Sequence, residues 1–136
     1  MSVTKTFERY DPTKRCIVWK YDNSRLYIHK WRIPACIPEK ITVSIYLAKE
    51  AFEKGLAEKL RFYDEINRDE RYKNEPISRY IYYEKECENN TVRYCTRKQV
   101  GEYDVPFPHV YIPKYLLSDY VNPKVLLILI GWKAEK

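Results

Sequence analysis

The chain of 136 residues is 32% charged and 15% aromatic, with 14 tyrosines, only three glycines and a formal net charge of +6. Those figures exclude a flexible linker or low-complexity segment and fit a single domain, residues 1–136, built on one core. No run approaches the roughly 18 apolar residues of a membrane-spanning helix, and MSVTKTFERYD lacks a hydrophobic signal core, so a cytoplasmic protein with no membrane partner is expected.

Residues 15–20 (RCIVWK) and 25–30 (RLYIHK) are β-prone runs separated by turn chemistry at Tyr21-Asp22-Asn23-Ser24, which predicts a hairpin. Pro34 and Pro38 then forbid a regular helix, and a packed connector or single turn is expected there. Residues 41–47 alternate, with Ile41, Val43, Ile45 and Leu47 on one side, as a strand with one buried face requires. The next segment, residues 48–67, carries Ala48, Phe52, Leu56, Leu60 and Tyr63 at spacings of three and four. That period predicts a principal helix laid over a sheet, despite a cost on the order of 1 kcal/mol for Gly55.

The mixed-charge stretch 68–76 reads as a loop joining two internal halves, 14–67 and 77–133. In the second half, residues 77–86 and 91–98 flank Glu88-Asn89-Asn90, and asparagine tolerates the left-handed backbone of a tight turn, so a second hairpin is expected. Gly101, Pro106 and Pro108 break the chain before residues 111–132, whose run 125–130 is apolar on both faces and must be a central strand. The expected fold class is α+β: mainly antiparallel strands, barrel-like or as a twisted sheet, with one principal helix packed on them.

Two segments can be laid over one another. Residues 25–30, Ile37-Pro38-Glu39-Lys40 and ITVSIYL match residues 109–114, Val121-Asn122-Pro123-Lys124 and VLLILI, with Tyr27 on Tyr111 and one residue inserted before the second proline. Such a repeat implies a pseudo-two-fold arrangement. Two unrelated strands behind proline turns explain the same residues.

Residues 96–130 resemble the swapped-hairpin DNA-binding domains of the AbrB, SpoVT and MazE type, in which a strand ending in I-P-K is followed by a short helix and another strand. Thr96-Arg97-Lys98-Gln99-Val100-Gly101 is similar to that family's basic lead-in and Ile112-Pro113-Lys114 to its I-P-K, while Ile28-His29-Lys30 stands in the I-P-K place of a first copy. The chain departs from the pattern where Pro38-Glu39-Lys40 and Asn122-Pro123-Lys124 replace the usual Gly-Asp turn, and the expected long helix has no place in the minimal domain. The resemblance implies a barrel-like unit of two interleaved halves that binds double-stranded DNA as a transcriptional regulator or antitoxin-like factor, as a homodimer or with both halves in one chain. It carries the DNA contacts to Lys20, Arg25 and Lys30 and to Arg97, Lys98 and Lys114.

Independently of any family, residues 1–47 hold nine Lys/Arg against four Asp/Glu. Within them, Lys14, Arg15, Lys20, Arg25, Lys30 and Arg32 offer cations for phosphates along a β-ribbon, although ordinary solubilising charge accounts for them equally. Tyr80, Tyr82 and Tyr83 near Arg79 offer a stacking surface or a half-buried sheet, the latter being the commoner use of tyrosine.

Nothing in the chain reads as catalytic. His29 and His109 lie in no metal or nucleophile motif, the carboxylate pairs Asp64-Glu65 and Asp69-Glu70 sit in solvated charge runs, and no glycine-rich phosphate loop exists. Cys16, Cys36, Cys87 and Cys95 form no C-x-x-C pair, so no metal site and no cofactor are expected. Packing is the first use for these cysteines, with a disulfide open because dense charge and a single glutamine, Gln99, suit a hot environment. The expected function is therefore non-enzymatic DNA binding. The alternative is a structural or protein-interaction module whose tyrosines form an interface, with a metal-dependent nuclease third.

Overall fold

The computed structural model describes residues 2–53, 55, 73–96, 107, 109–117 and 122–133. Eight strands lie in them: β1 Ser2–Tyr10, β2 Cys16–Tyr21, β3 Ser24–His29, β4 Lys40–Leu47, β5 Ile77–Cys87, β6 Thr91–Cys95, β7 His109–Pro113 and β8 Val125–Gly131. All neighbours are antiparallel and the sheet closes on itself in the order β1-β2-β3-β7-β6-β5-β8-β4. Phe7, Trp19, Leu26, Ile28, Ile41, Ile81 and Leu126 fill the interior at 0–2% exposure, the packing an eight-strand barrel can just accommodate.

This corrects the α+β expectation. The described α-helix, α1, is the six residues Ala48–Glu53, accompanied by short 3-10 turns at Lys30–Arg32 and Lys114–Leu117. Residues 54 and 56–67 of the expected principal helix lie outside the described residues. Within α1 the buried residue is Ala51, whereas Phe52, expected in the apolar stripe, is 76% exposed. Closure explains why no helix has to cover the sheet: curling it into a barrel gives every strand a buried inner face and removes both edges. The doubly apolar β8 sits between β4 and β5. Leu126, Ile128 and Ile130 join the core, while Leu127, of opposite parity, is also fully buried on the side of β4 and β8 where α1 packs.

Exchanging β1–β4 for β5–β8 leaves the cyclic strand order unchanged. The pivot is the single β3/β7 pair, Leu26 opposite Val110. About it, the ladder that sets Cys16 opposite His29 falls on the one that sets Thr91 opposite Pro113, so Trp19 takes the place of Tyr94.

Hydrogen bonds repeat with the strands. Trp19 Nε1 donates to the Pro38 carbonyl at 3.2 Å and Tyr94 Oη to the Pro123 carbonyl at 2.7 Å. The backbone N–H of Arg9 donates to Glu39 O and that of Tyr83 to Lys124 O, at 2.8 and 2.9 Å; Lys30 donates to Arg15 O and Lys114 to Asn90 O, at 2.9 and 2.8 Å. The registers also refine the sequence overlay: Phe7 opposite Ile41 corresponds to Ile81 opposite Leu126, so Ile41 is equivalent to Leu126 and not to Val125. The residue inserted before Pro123 therefore carries through β8; a one-residue slip would have turned its core face outward.

Candidate nucleic-acid interface

Outward side chains of β1, β2, β3, β7 and β6 assemble one polar, aromatic face. Its floor is Val18, which points away from the core yet is 1% exposed, standing opposite Tyr10 on β1 and Tyr27 on β3. Those two tyrosines flank it, and the cations use the rings. Lys20 Nζ lies 5.1 Å from the Tyr10 ring centre and the Arg25 guanidinium 4.8 Å from it, both within cation–π range. A hydrogen bond with Tyr27 and the nearby Tyr10 hold the Arg25 pKa above its ordinary value.

Across the pivot, the Tyr27 and His109 rings are 6.4 Å apart, His109 meets Tyr111 edge-on at 5.3 Å, and Arg93 lies 5.8 Å from the Tyr111 ring. Arg93 Nη2 is 3.3 Å from His109 Nδ1, a bond that requires Nδ1 to be the acceptor. Arg93 Nε also stands 2.8 Å from Glu84 Oε2, off the N–H direction, so the contact is an ion pair and not a hydrogen bond.

The face opens into a cleft of about 540 Å³ at the end of the barrel formed by the β2–β3 and β5–β6 turns, lined by Lys20, Asn23, Arg25, Tyr27, Cys87, Glu88, Asn89, Thr91 and Tyr111. Beside the cleft, β3 and β7 share one register pair, Leu26 opposite Val110. Ser24 Oγ bridges the two strands by donating to the Tyr111 carbonyl. Left-handed backbone at Asp22, Asn89 and Asn90 (φ 51°, 61° and 53°) turns both hairpins tightly enough to bring Asn23 and Asn89 to the rim.

The expected DNA-contacting residues divide sharply. Lys20 and Arg25 share this face, and among the described residues neither is paired with a carboxylate. Lys14, Arg15 and Lys30 are exposed near one another at the opposite end, where the Lys30 N–H meets the Arg15 carbonyl. Lys114 is tied to Glu86 at 3.1 Å; Asn122 first and Lys114 second hold that carboxyl below its ordinary pKa. Arg32 is 2% exposed and donates to the carbonyls of Lys73, Glu75 and Pro76, so its guanidinium fastens the chain before β5. Arg97 and Lys98 lie outside the described residues, as do Asp64-Glu65 and Asp69-Glu70.

Arg79, considered beside the β5 tyrosines, is 7% exposed and shares the inward parity of Ile77 and Ile81, so it forms no stacking surface with Tyr80 and Tyr82. Sequence reasoning missed Tyr10, Asn23, Asn89 and Arg93 as members of this face. It noticed Tyr27 and Tyr111 only as a repeat, which was the available signal.

No disulfide joins Cys16, Cys36, Cys87 or Cys95. Among the described residues no three His, Cys, Asp or Glu side chains group as metal ligands, and no helix is long and apolar enough to cross a membrane. No protein-family model, curated protein or solved structure matches the chain.

Proposed function

We propose that the protein is a non-enzymatic nucleic-acid-binding protein that takes single-stranded DNA across the outer face of its barrel, over the β3/β7 seam. The observation that carries this reading is the pairing of Lys20 and Arg25, neither paired with a carboxylate among the described residues, on the Tyr10 ring beside a cleft lined by Tyr27 and Tyr111. Single-strand binding combines cations that follow the phosphates with aromatic rings on which unpaired bases stack. Six residues of β3 span about 20 Å, which suits the shorter single-strand sites, on the order of four nucleotides.

Duplex DNA, the ligand expected from the sequence, is the second reading. The pseudo-two-fold pivot at Leu26 and Val110 favours it, because a dyad on a two-stranded ribbon matches the dyad of a palindromic site. A duplex keeps its bases stacked, however, and leaves the tyrosine rings unused.

Fluorescence anisotropy with a labelled single strand and its duplex, at several salt concentrations, tests both readings. Tighter binding of the single strand is expected, and the double variant Lys20→Ala/Arg25→Ala should flatten the log K against log salt plot by about 1.4, or about 0.7 for each phosphate no longer neutralised. Tighter duplex binding, sensitive to the same variant, would select the second reading. Absence of binding to either at low salt would dismiss both.

A further inference from the structure

We propose that the cleft between the β2–β3 and β5–β6 turns is a base-reading pocket for one nucleotide of the bound strand, selective for adenine and cytosine, whose amines stand where thymine carries O4, over thymine. This rests on the single-strand reading of the face. At about 540 Å³ the cleft lies within the range of small-molecule sites and is open on one side, as a pocket entered by one base of a continuing strand must be.

Its walls differ in chemistry. Lys20 and Arg25 line one side, at the edge that continues onto the cationic face, and supply the phosphate contacts. Tyr27 and Tyr111, on the two strands flanking the seam, give the base an aromatic surface. Glu88 and Asn89, with Asn23 facing them from the other hairpin, are the groups able to read a base edge.

The polarity of that edge sets the preference. A carboxylate only accepts hydrogen bonds, and an asparagine amide both donates and accepts. Carboxylates accept from the cytosine N4 amine and asparagine pairs with adenine through N6 and N7. Thymine offers the O4 oxygen where those bases carry an amine, so Glu88 would face an acceptor with no proton between them. The turn holds these groups in place: the Lys114 N–H binds the Asn90 carbonyl at 2.8 Å, and Thr91 Oγ1 donates to the Glu88 carbonyl at 2.8 Å.

The experiment compares oligo-dA, oligo-dC and oligo-dT of equal length by anisotropy at low salt, with wild-type protein, Glu88→Ala and Asn89→Gly. Glycine keeps the left-handed backbone of residue 89 (φ 61°) while deleting its amide, so the turn survives. Wild-type protein should bind dA and dC at least about tenfold more tightly than dT, and each variant should bring that ratio close to one with dT affinity unchanged or improved. Equal wild-type affinities, or a preference that both variants leave intact, would overturn the pocket while leaving the binding face standing. Failure of all three oligonucleotides to bind would instead remove the single-strand reading and the pocket with it.

Discussion

Arg32→Met separates a structural cation from a DNA-binding one. The Arg32 guanidinium donates at 3.2, 2.8 and 3.2 Å to the carbonyls of Lys73, Glu75 and Pro76 and is 2% exposed. Three bonds from a charged donor, at roughly 1.5 kcal/mol each, give an upper figure of about 4–5 kcal/mol. Two effects reduce it. Glu75 and Pro76 are exposed residues whose carbonyls can turn to water, and methionine removes a buried charge whose desolvation the fold would otherwise bear. A net loss of about 2–3 kcal/mol is therefore expected. It is read as a lower urea midpoint at unchanged m, and the variant should bind single-stranded DNA with wild-type affinity and salt slope. A variant of wild-type stability with weakened DNA binding would refute the reasoning and return Arg32 to the interface, where its sequence context had placed it.

Three further outcomes follow from particular contacts. Tyr94→Phe deletes the hydroxyl that binds the Pro123 carbonyl and should cost about 1 kcal/mol by denaturant titration, while Trp19→Phe, at the equivalent bond to Pro38, should cost more because the smaller ring also leaves a void. A destabilisation at only one of the two sites would contradict their equivalence. Asn122→Ala should raise the Glu86 pKa toward 4.5, followed by NMR titration, since the hydrogen bond from Asn122 is the main cause of its depression. The sign is that of a carboxylate lowered on folding: its stabilisation is present above 4.5 and lost as pH falls through the depressed value, so Asn122→Ala should make stability less sensitive to acid in that window, and an unmoved Glu86 midpoint would refute the assignment.

Much of the barrel was legible where side-chain period and turn chemistry agree. The alternation of Ile41, Val43, Ile45 and Leu47 is the inner face of β4, and the asparagine turn at 88–90 joins β5 to β6. β1 was not legible, because Lys5 occupies the same parity as Val3 and Phe7 and conceals the period of two. Closure itself left no local mark. It depends on β1 pairing with β4, β3 with β7 and β4 with β8, contacts between residues far apart in sequence.

The helical reading of residues 48–67 rested on an apolar stripe, and Phe52, a member of it, faces solvent. The candidate face was half legible: Lys20 and Arg25 stood out as cations on a hairpin. Tyr10, His109 and Tyr111 join them only because the barrel brings β1 and β7 to either side of that hairpin.

The tyrosines that point outward on different sides of the barrel make the central claim directly measurable. Ultraviolet crosslinking of the wild-type protein to a single-stranded oligonucleotide, mapped by mass spectrometry, should place adducts at Tyr10, Tyr27 and Tyr111, over β1, β3 and β7. Adducts confined to Tyr46, Tyr80 and Tyr82, which point outward from β4 and β5 on the far side, would contradict it.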